Sequence, residues 1–230
     1  MNSILIWDIP IRVFHWLFAC CCIGALVIGS LAEDNSTIFP VHMLLGMAAC
    51  FLLLVRLALC VFGSRHNRFK ALLFSPEETF RYFLGVMTNT APRYVVHNPG
   101  TSIMTILMCV LVVLLVGTGI GASYKVAKEI HETLAGGVLA LIIFHLAGLA
   151  VHTIRHRENI ALSMITGHKQ GPLDQGLQSS HPVMGAVILA LSVLWIGTLF
   201  INYDSEKRTI TVPMLGSTIH IHPKSTEDDD

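Results

Sequence analysis

The residues best able to do chemistry in this chain are histidines, placed where a histidine is costly. The stretch 129–157, EIHETLAGGVLALIIFHLAGLAVHTIRHR, is apolar enough to cross a bilayer, yet it carries His131, His145, His152 and His156. An ionisable side chain inside such a helix marks a functional site by default, because lipid offers it no partner. Fourteen residues separate His131 from His145. At 1.5 Å per residue that is about 21 Å of rise, and at about 100° per residue the second ring returns to within about 40° of the first. One helix face therefore presents two imidazoles at two depths. His42, at the outer start of an earlier apolar segment, matches the level of His131. His15, a turn or so inside the start of the first segment, matches that of His145.

Two pairs on different helices, His42 with His131 and His15 with His145, suit two b-type haems, each iron taking one axial imidazole from each of two helices. A tetrahedral zinc site needs its four ligands together, which residues about 21 Å apart along one helix do not allow. Arg56 lies fourteen residues past His42 and is the only Arg or Lys deep in an apolar segment. A buried guanidinium needs an anion. No Asp or Glu is expected at its depth, so a haem propionate would serve; the competing use is snorkelling to the headgroups. Gly46, Gly136, Gly137 and Gly148 flank the histidines and would admit a flat macrocycle or simply pack helices. His152 groups with Arg155, His156 and Arg157 at the membrane edge. His66, His97, His168 and His181 are expected to be solvated, and His220 with His222 would share a strand face as a weak metal pair.

The elements that position these residues follow from composition. The 230 residues are 53% hydrophobic and only 13% charged, with mean hydropathy +0.65. A bilayer core is crossed by roughly 20 apolar helical residues, and five segments qualify: 13–31, 41–62, 102–122, 130–154 and 182–201. The expected fold is an all-α membrane protein. Residues 1–170 form a four-helix transmembrane bundle holding the two haems, and 171–202 a linker and fifth transmembrane helix. Residues 203–230 form a short outer tail, with a β-hairpin joining 208–212 to 217–222 and an acidic end at 227–230. In the loop after the second segment, Ser75-Pro76-Glu77-Glu78 predicts a capped helix to about Met87, lying on the membrane surface.

All six cysteines fall inside the apolar segments without CxxC spacing, which excludes disulfides and covalent haem attachment. Arg65, Arg68, Lys70, Arg81 and Arg93 follow the second segment, and Arg155, Arg157 and Lys169 follow the fourth, while Glu33 and Asp34 follow the first. The positive-inside bias places the N-terminus and both basic loops in the cytoplasm and the C-terminal tail opposite. Gly29-Ser30-Leu31-Ala32 has the look of a signal cleavage site, but the apolar run before it is longer than a signal peptide needs, so cleavage is not expected.

In order along residues 7–169 stand Trp7-Asp8, Arg12-x-x-His15-Trp16, His42-x-x-x-Gly46, Arg56-Leu57 before Gly63, His97-Asn98-Pro99, His131-Glu132, His145 and Met164-Ile165-Thr166-Gly167-His168-Lys169. Together they resemble the bacterial cytochrome b561 and nickel–iron hydrogenase b-type cytochrome family. The resemblance implies a four-helix core with two haems b, ligands at His15, His42, His131 and His145, and an electron path between the quinone pool and a redox partner on the outer side. Arg12 resembles a family position near the inner haem; a plain cytoplasmic anchor is the other reading. Two features depart from the family: Gly100-Thr101 after His97-Asn98-Pro99, and the fifth segment with its tail, so no particular hydrogenase or dehydrogenase complex follows.

The expectation is a dihaem electron carrier of the bacterial inner membrane. Quinone or quinol would react at the inner haem. A periplasmic redox protein, such as a c-type cytochrome or a dehydrogenase or hydrogenase subunit, would react at the outer one. Nucleic acid is not among the expected partners. Two other readings stay open: a stand-alone superoxide:quinone oxidoreductase, and a haem-free, His-lined membrane transporter, against which the apolar run 133–144 counts.

Overall fold

A computed structural model describes residues 2–33, 36–120, 124–206, 209–211 and 218–220. Along the chain come β1 (Asn2–Leu5), α1 (Ile9–Leu31), α2 (Phe39–Phe62), α3 (Phe69–Leu72), α4 (Pro76–Met87), α5 (Pro99–Ile120), α6 (Lys125–His156), α7 (Ile160–Thr166) and β2 (His168–Gly171). After a 3₁₀ turn at Leu173–Gln175 follow α8 (Pro182–Ile201), β3 (Tyr203–Asp204), β4 (Thr209–Thr211) and β5 (Thr218–His220). Helices α1, α2, α5, α6 and α8 are long and apolar enough to cross a membrane, with mean hydropathy of 2.1 to 2.8 over their most apolar windows. They expose large apolar side chains such as Val113 on α5 and Phe144 on α6. Water would penalise such surfaces and lipid does not. The chain is a multi-pass, all-α membrane protein.

Four of the five spans begin earlier than their apolar runs, α2 by two residues at Phe39. α1 starts at Ile9, where Asp8 caps it by accepting from Ile11 N–H at 3.2 Å. α5 starts at Pro99, three residues before the apolar segment; Asn98 Oδ1 accepts from Thr101 N–H at 2.9 Å, and Thr101 Oγ1 accepts from Asn98 N–H at 3.0 Å. α6 starts at Lys125, five residues before its segment. Hydropathy marks the thickness of hydrocarbon a helix crosses, whereas the helix itself continues until a cap or a proline stops it. The end of the predicted third segment, like the acidic end 227–230 and His222, lies outside the described residues.

The chain divides into two compact units. The first comprises Met1–His15, Leu54–Cys109 and Ala140–Ile188. It contains an element absent from the sequence reading: β1 pairs antiparallel with β2, with Asn2 opposite Gly171 and Leu5 opposite His168. Gly167 makes this possible. It ends α7 at φ 84°, a left-handed conformation that glycine adopts without strain, and a Cβ there would meet Trp7 O at 2.7 Å. Its carbonyl accepts from Ile6 N–H at 2.8 Å and Trp7 N–H at 3.1 Å. Arg65 then ties the turn after β2, donating to Asp174 O and Gly176 O at 2.8 and 2.7 Å.

α4 belongs to the same unit. Ser75 and Glu78 form a reciprocal capping box, with Pro76 in the first turn. Phe80 and Met87 are exposed while Tyr82 is half-buried, so the helix keeps an apolar outer face.

The second unit comprises Trp16–Leu53, Val110–Leu139 and Leu189–Asp230. Trp195 of α8 stacks on Phe51 of α2, ring centroids 5.3 Å apart. Beyond α8, β4 pairs antiparallel with both β3 and β5, and Ile210 opposes Ile219. Ile210 and Leu199 are buried.

Because Ser75 satisfies an N–H that α4 otherwise leaves open, Ser75→Ala is expected to destabilise that helix by about 1 kcal/mol. Hydrogen exchange should show faster exchange confined to 76–87, with the spans unchanged.

Candidate functional site

In the second unit, His42 of α2 and His131 of α6 face each other with ring centroids 5.9 Å apart and ring planes at 75°. Each has its Nδ1 engaged by a backbone carbonyl of a neighbouring helix. His42 Nδ1 lies 2.8 Å from Ala25 O in α1. His131 Nδ1 lies 3.0 Å from Leu115 O in α5 and 3.1 Å from Thr118 Oγ1. A carbonyl only accepts, so Nδ1 carries the proton in both rings and Nε2 keeps its lone pair. Phe39 stacks on His42 at 5.4 Å and 23°, fixing the ring from one side.

In the first unit, His15 of α1 and His145 of α6 are both half-buried and lie within electrostatic reach of each other. Close by runs a buried polar chain. Asp8 is 1% exposed and accepts from Asn67 Nδ2 through both carboxylate oxygens, at 3.0 and 3.1 Å. Asn67 O in turn accepts from Arg56 Nη1 at 3.2 Å. Arg56, 4% exposed, sits 6.0 Å from the ring of Phe14, the residue before His15. Arg56 therefore does not snorkel, and a carboxylate does serve its neighbourhood: Asp8 is linked to it through Asn67, whose side-chain nitrogen binds Asp8 and whose backbone carbonyl binds Arg56. Arg12 donates to Ile165 O near the end of α7.

His66 and His97 are not solvated. His66 Nδ1 bonds Ile6 O at 3.0 Å, His97 Nε2 donates to His66 O at 3.1 Å, and His97 sits edge-on to Trp7 at 5.1 Å. Trp7 Nε1 donates to Ser163 Oγ at 3.2 Å. Burial, then the nearby Arg56 charge, pushes His97 down to about 4, and burial lowers His66 too. His168 and His181 are exposed, as expected.

A family model described as prokaryotic cytochrome b561 matches residues 6–167. The chain belongs to the prokaryotic cytochrome b561 family. No curated protein and no solved structure matches it. Membership of the cytochrome b561 family makes the chain a membrane b-type cytochrome of electron transfer, and implies haem b.

The His42/His131 pair fits that cofactor. An iron with one imidazole nitrogen about 2 Å away on each side would part the ring centroids by roughly 6 Å, close to the 5.9 Å found. Among the described residues no group of three or more His, Cys, Asp or Glu could hold a bare metal ion. A Cβ on Gly46, one turn after His42, would meet nothing within 4 Å, which leaves room beside the ligand helix.

This cytochrome b561 member also has a cavity of ≈ 100 Å³ in its first unit, lined by Tyr82, Tyr94, Asn98, Gly148, His152 and Arg155 among others. Gly148 lies three residues after His145 on α6. His152 Nε2 is buried there without a hydrogen-bond partner, 3.9 Å from Glu158 Oε2, and its ring lies 4.5 Å from that of His156. Glu158 is fixed by Arg93 at 2.8 Å, and Lys169 donates to Tyr94 O at 3.0 Å. Burial opposes ionisation of Glu158, but Arg93, Lys169 and the Gln170 N–H together hold its pKa below the ordinary value. Sequence reading missed this cavity, as well as the carbonyls of Ala25 and Leu115. A carbonyl has no sequence signature, and the cavity forms only when α4 meets α6.

Folded His97 stays neutral down to about pH 4, whereas in the unfolded chain it takes a proton near its ordinary value of 6.5. The unfolded state therefore binds more protons between these limits, so stability falls as pH drops from about 6.5 to 4 and returns as pH rises. His97→Gln, which removes the titration, is expected to flatten that slope in thermal unfolding measured across this range.

Proposed function

We propose that the chain carries electrons across a bacterial cytoplasmic membrane, between a quinone pool on its basic side and a periplasmic redox protein. Two haems b would be held by His42 with His131 and by His15 with His145. The observation that carries this reading is the outer pair: two imidazoles at an iron-spanning distance, both with Nδ1 committed to backbone and Nε2 left for coordination. The haems supply one-electron redox chemistry. The chain orients the rings, fixes their tautomers and surrounds them with apolar side chains.

Arg12, three residues before His15, and Arg56, beside the ring of Phe14, remain the candidates for the inner haem's propionates. Arg12 Nε is buried without a partner, a free donor suited to a carboxylate. For the quinone headgroup the cavity beside Gly148 is the favoured seat. It offers the unpartnered Nε2 of His152 as a hydrogen-bonding group for a quinone oxygen, and Tyr82 and Val86 of α4 bring apolar surface to it. The N-terminus and basic loops would be cytoplasmic and the tail after α8 periplasmic, on the charge distribution alone.

Purified protein should contain two haems b per chain by pyridine haemochrome quantitation, reducible by a short-chain quinol. His131→Ala and His145→Ala should each lose one haem, and His152→Ala should keep both while slowing quinol reduction at least tenfold. Well-folded protein without haem would restore the transporter reading, and reduction of the haems by superoxide with no periplasmic acceptor would favour the superoxide:quinone oxidoreductase. Loss of neither haem in the two ligand variants would refute the pairing.

A further inference from the structure

The two outer ligands are held by one device used twice. Ala25 and Gly29 stand four apart in α1, and Leu115 and Gly119 four apart in α5. In each case the carbonyl of the first residue takes the imidazole Nδ1–H, and the glycine lies against the ring that donates it. In an α-helix the carbonyl at position i faces the N–H of i+4, so the residue at i+4 stands over the oxygen an incoming ring must reach. A carbonyl has two lone pairs and can serve both its helix partner and a ring. It can be approached from outside only if that overlying position is bare.

The distances say how bare it must be. A Cβ on Gly29 would come within 2.8 Å of His42 Nδ1 and 2.9 Å of its Cε1, closer than such atoms approach. A Cβ on Gly119 would come to 3.2 Å from His131 Cε1 and 3.5 Å from Nδ1, so that ring would have to give by a few tenths of an ångström. By contrast, a Cβ on Gly117, in the same helix as Gly119, would meet nothing within 4 Å. Small residues in membrane helices serve close packing of one backbone on another. Here the neighbour is the ring of a ligand, from a different helix in both cases.

We propose that Gly29 and Gly119 are positioning residues for the outer haem. Each opens a helix carbonyl to a ligand imidazole and thereby sets the ring's tautomer, its plane and the aim of its Nε2. This rests on the reading of His42 and His131 as iron ligands. The device keeps the two rings near the 75° at which they now stand. Near-perpendicular imidazole planes leave a low-spin ferric haem with a strongly anisotropic electron paramagnetic resonance signal, and planes brought parallel give a more rhombic one.

The test uses the full-length protein with its haems, comparing wild type with Gly29→Ala, Gly119→Ala and Gly117→Ala. Two quantities are read: the rate at which each haem transfers to excess apomyoglobin, and the low-spin ferric signal. Losing a partner that orients a metal ligand typically weakens metal retention roughly 10- to 100-fold. Gly29→Ala should therefore release the outer haem at least tenfold faster and move its signal, with the inner haem as an internal reference for folding. Gly119→Ala should do the same more weakly, and Gly117→Ala should match wild type. Wild-type release and signal in both Gly29→Ala and Gly119→Ala would overturn the proposal; if Gly29→Ala does not accumulate, Gly119→Ala decides alone. His42→Ala separates this from the underlying reading. If it keeps both haems, the ligand assignment fails. If it loses the outer haem while the glycine variants stay normal, only the positioning role fails.

Discussion

A carbonyl inside a membrane helix is already committed to its own helix, and an imidazole N–H inside a membrane has almost nowhere else to go. The second unit of this protein is arranged around reconciling those two demands. The oxygens of Ala25 and Leu115 accept a second donor because the helix surface above each is left bare by a glycine. From that one contact follow the tautomer of His42 and His131, the angle between their rings, and the nitrogen each leaves free for a ligand role. It also dictates neighbours: α1 must lie against the ring of α2, and α5 against the ring of α6. An apolar stripe alone would tolerate many such pairings, whereas a donor that lipid cannot satisfy tolerates few.

The first unit handles its buried polarity through side chains. Asp8, Asn67 and Arg56 form a line in which a carboxylate and a guanidinium are bridged by one residue, whose side-chain nitrogen donates to the first while its backbone carbonyl accepts from the second. A buried charge without such a path costs several kcal/mol. The line is held from outside by the N-terminal ribbon, since Ile6 and Trp7, beside Asp8, hang from the Gly167 carbonyl and receive His66 and His97. Residues 2–8 thus act as a lintel within the unit that holds His15 and His145, built from contacts more than 150 residues apart in sequence, such as Trp7 to Ser163.

That distance explains what the sequence did and did not disclose. The five spans and the proximity of His42 to His131 were legible because depth and face are properties of single helices, and a period of 3.6 residues carries them without tertiary knowledge. Family motifs such as Trp7-Asp8 and Thr166-Gly167-His168 were visible too, but their purpose was not. Gly167 needs its left-handed φ only because β2 must turn back onto β1. His66 and His97 looked solvated because they sit between helices in sequence, and burial of a loop depends on what covers it. Gly29 first read as part of a cleavage-like motif; nothing in its own neighbourhood points to a ring fourteen positions beyond Ile28, at His42.

The two solutions also divide labour. A ring whose Nδ1 is locked to a carbonyl and whose Nε2 would bind a haem iron has no free nitrogen for proton exchange, so the proposed His42/His131 site is suited to electrons alone. The proposed quinone reaction moves protons with its electrons and needs groups that can take and give them. Such groups gather in the first unit, where His152, His156 and Glu158 meet beside the cavity and Arg93 and Lys169 set the charge around them. The orphaned Nε2 of His152 is costly for a protein to bury unless something polar comes to meet it. Its position beside Gly148, one turn from His145, puts that demand next to His145 rather than anywhere else along α6.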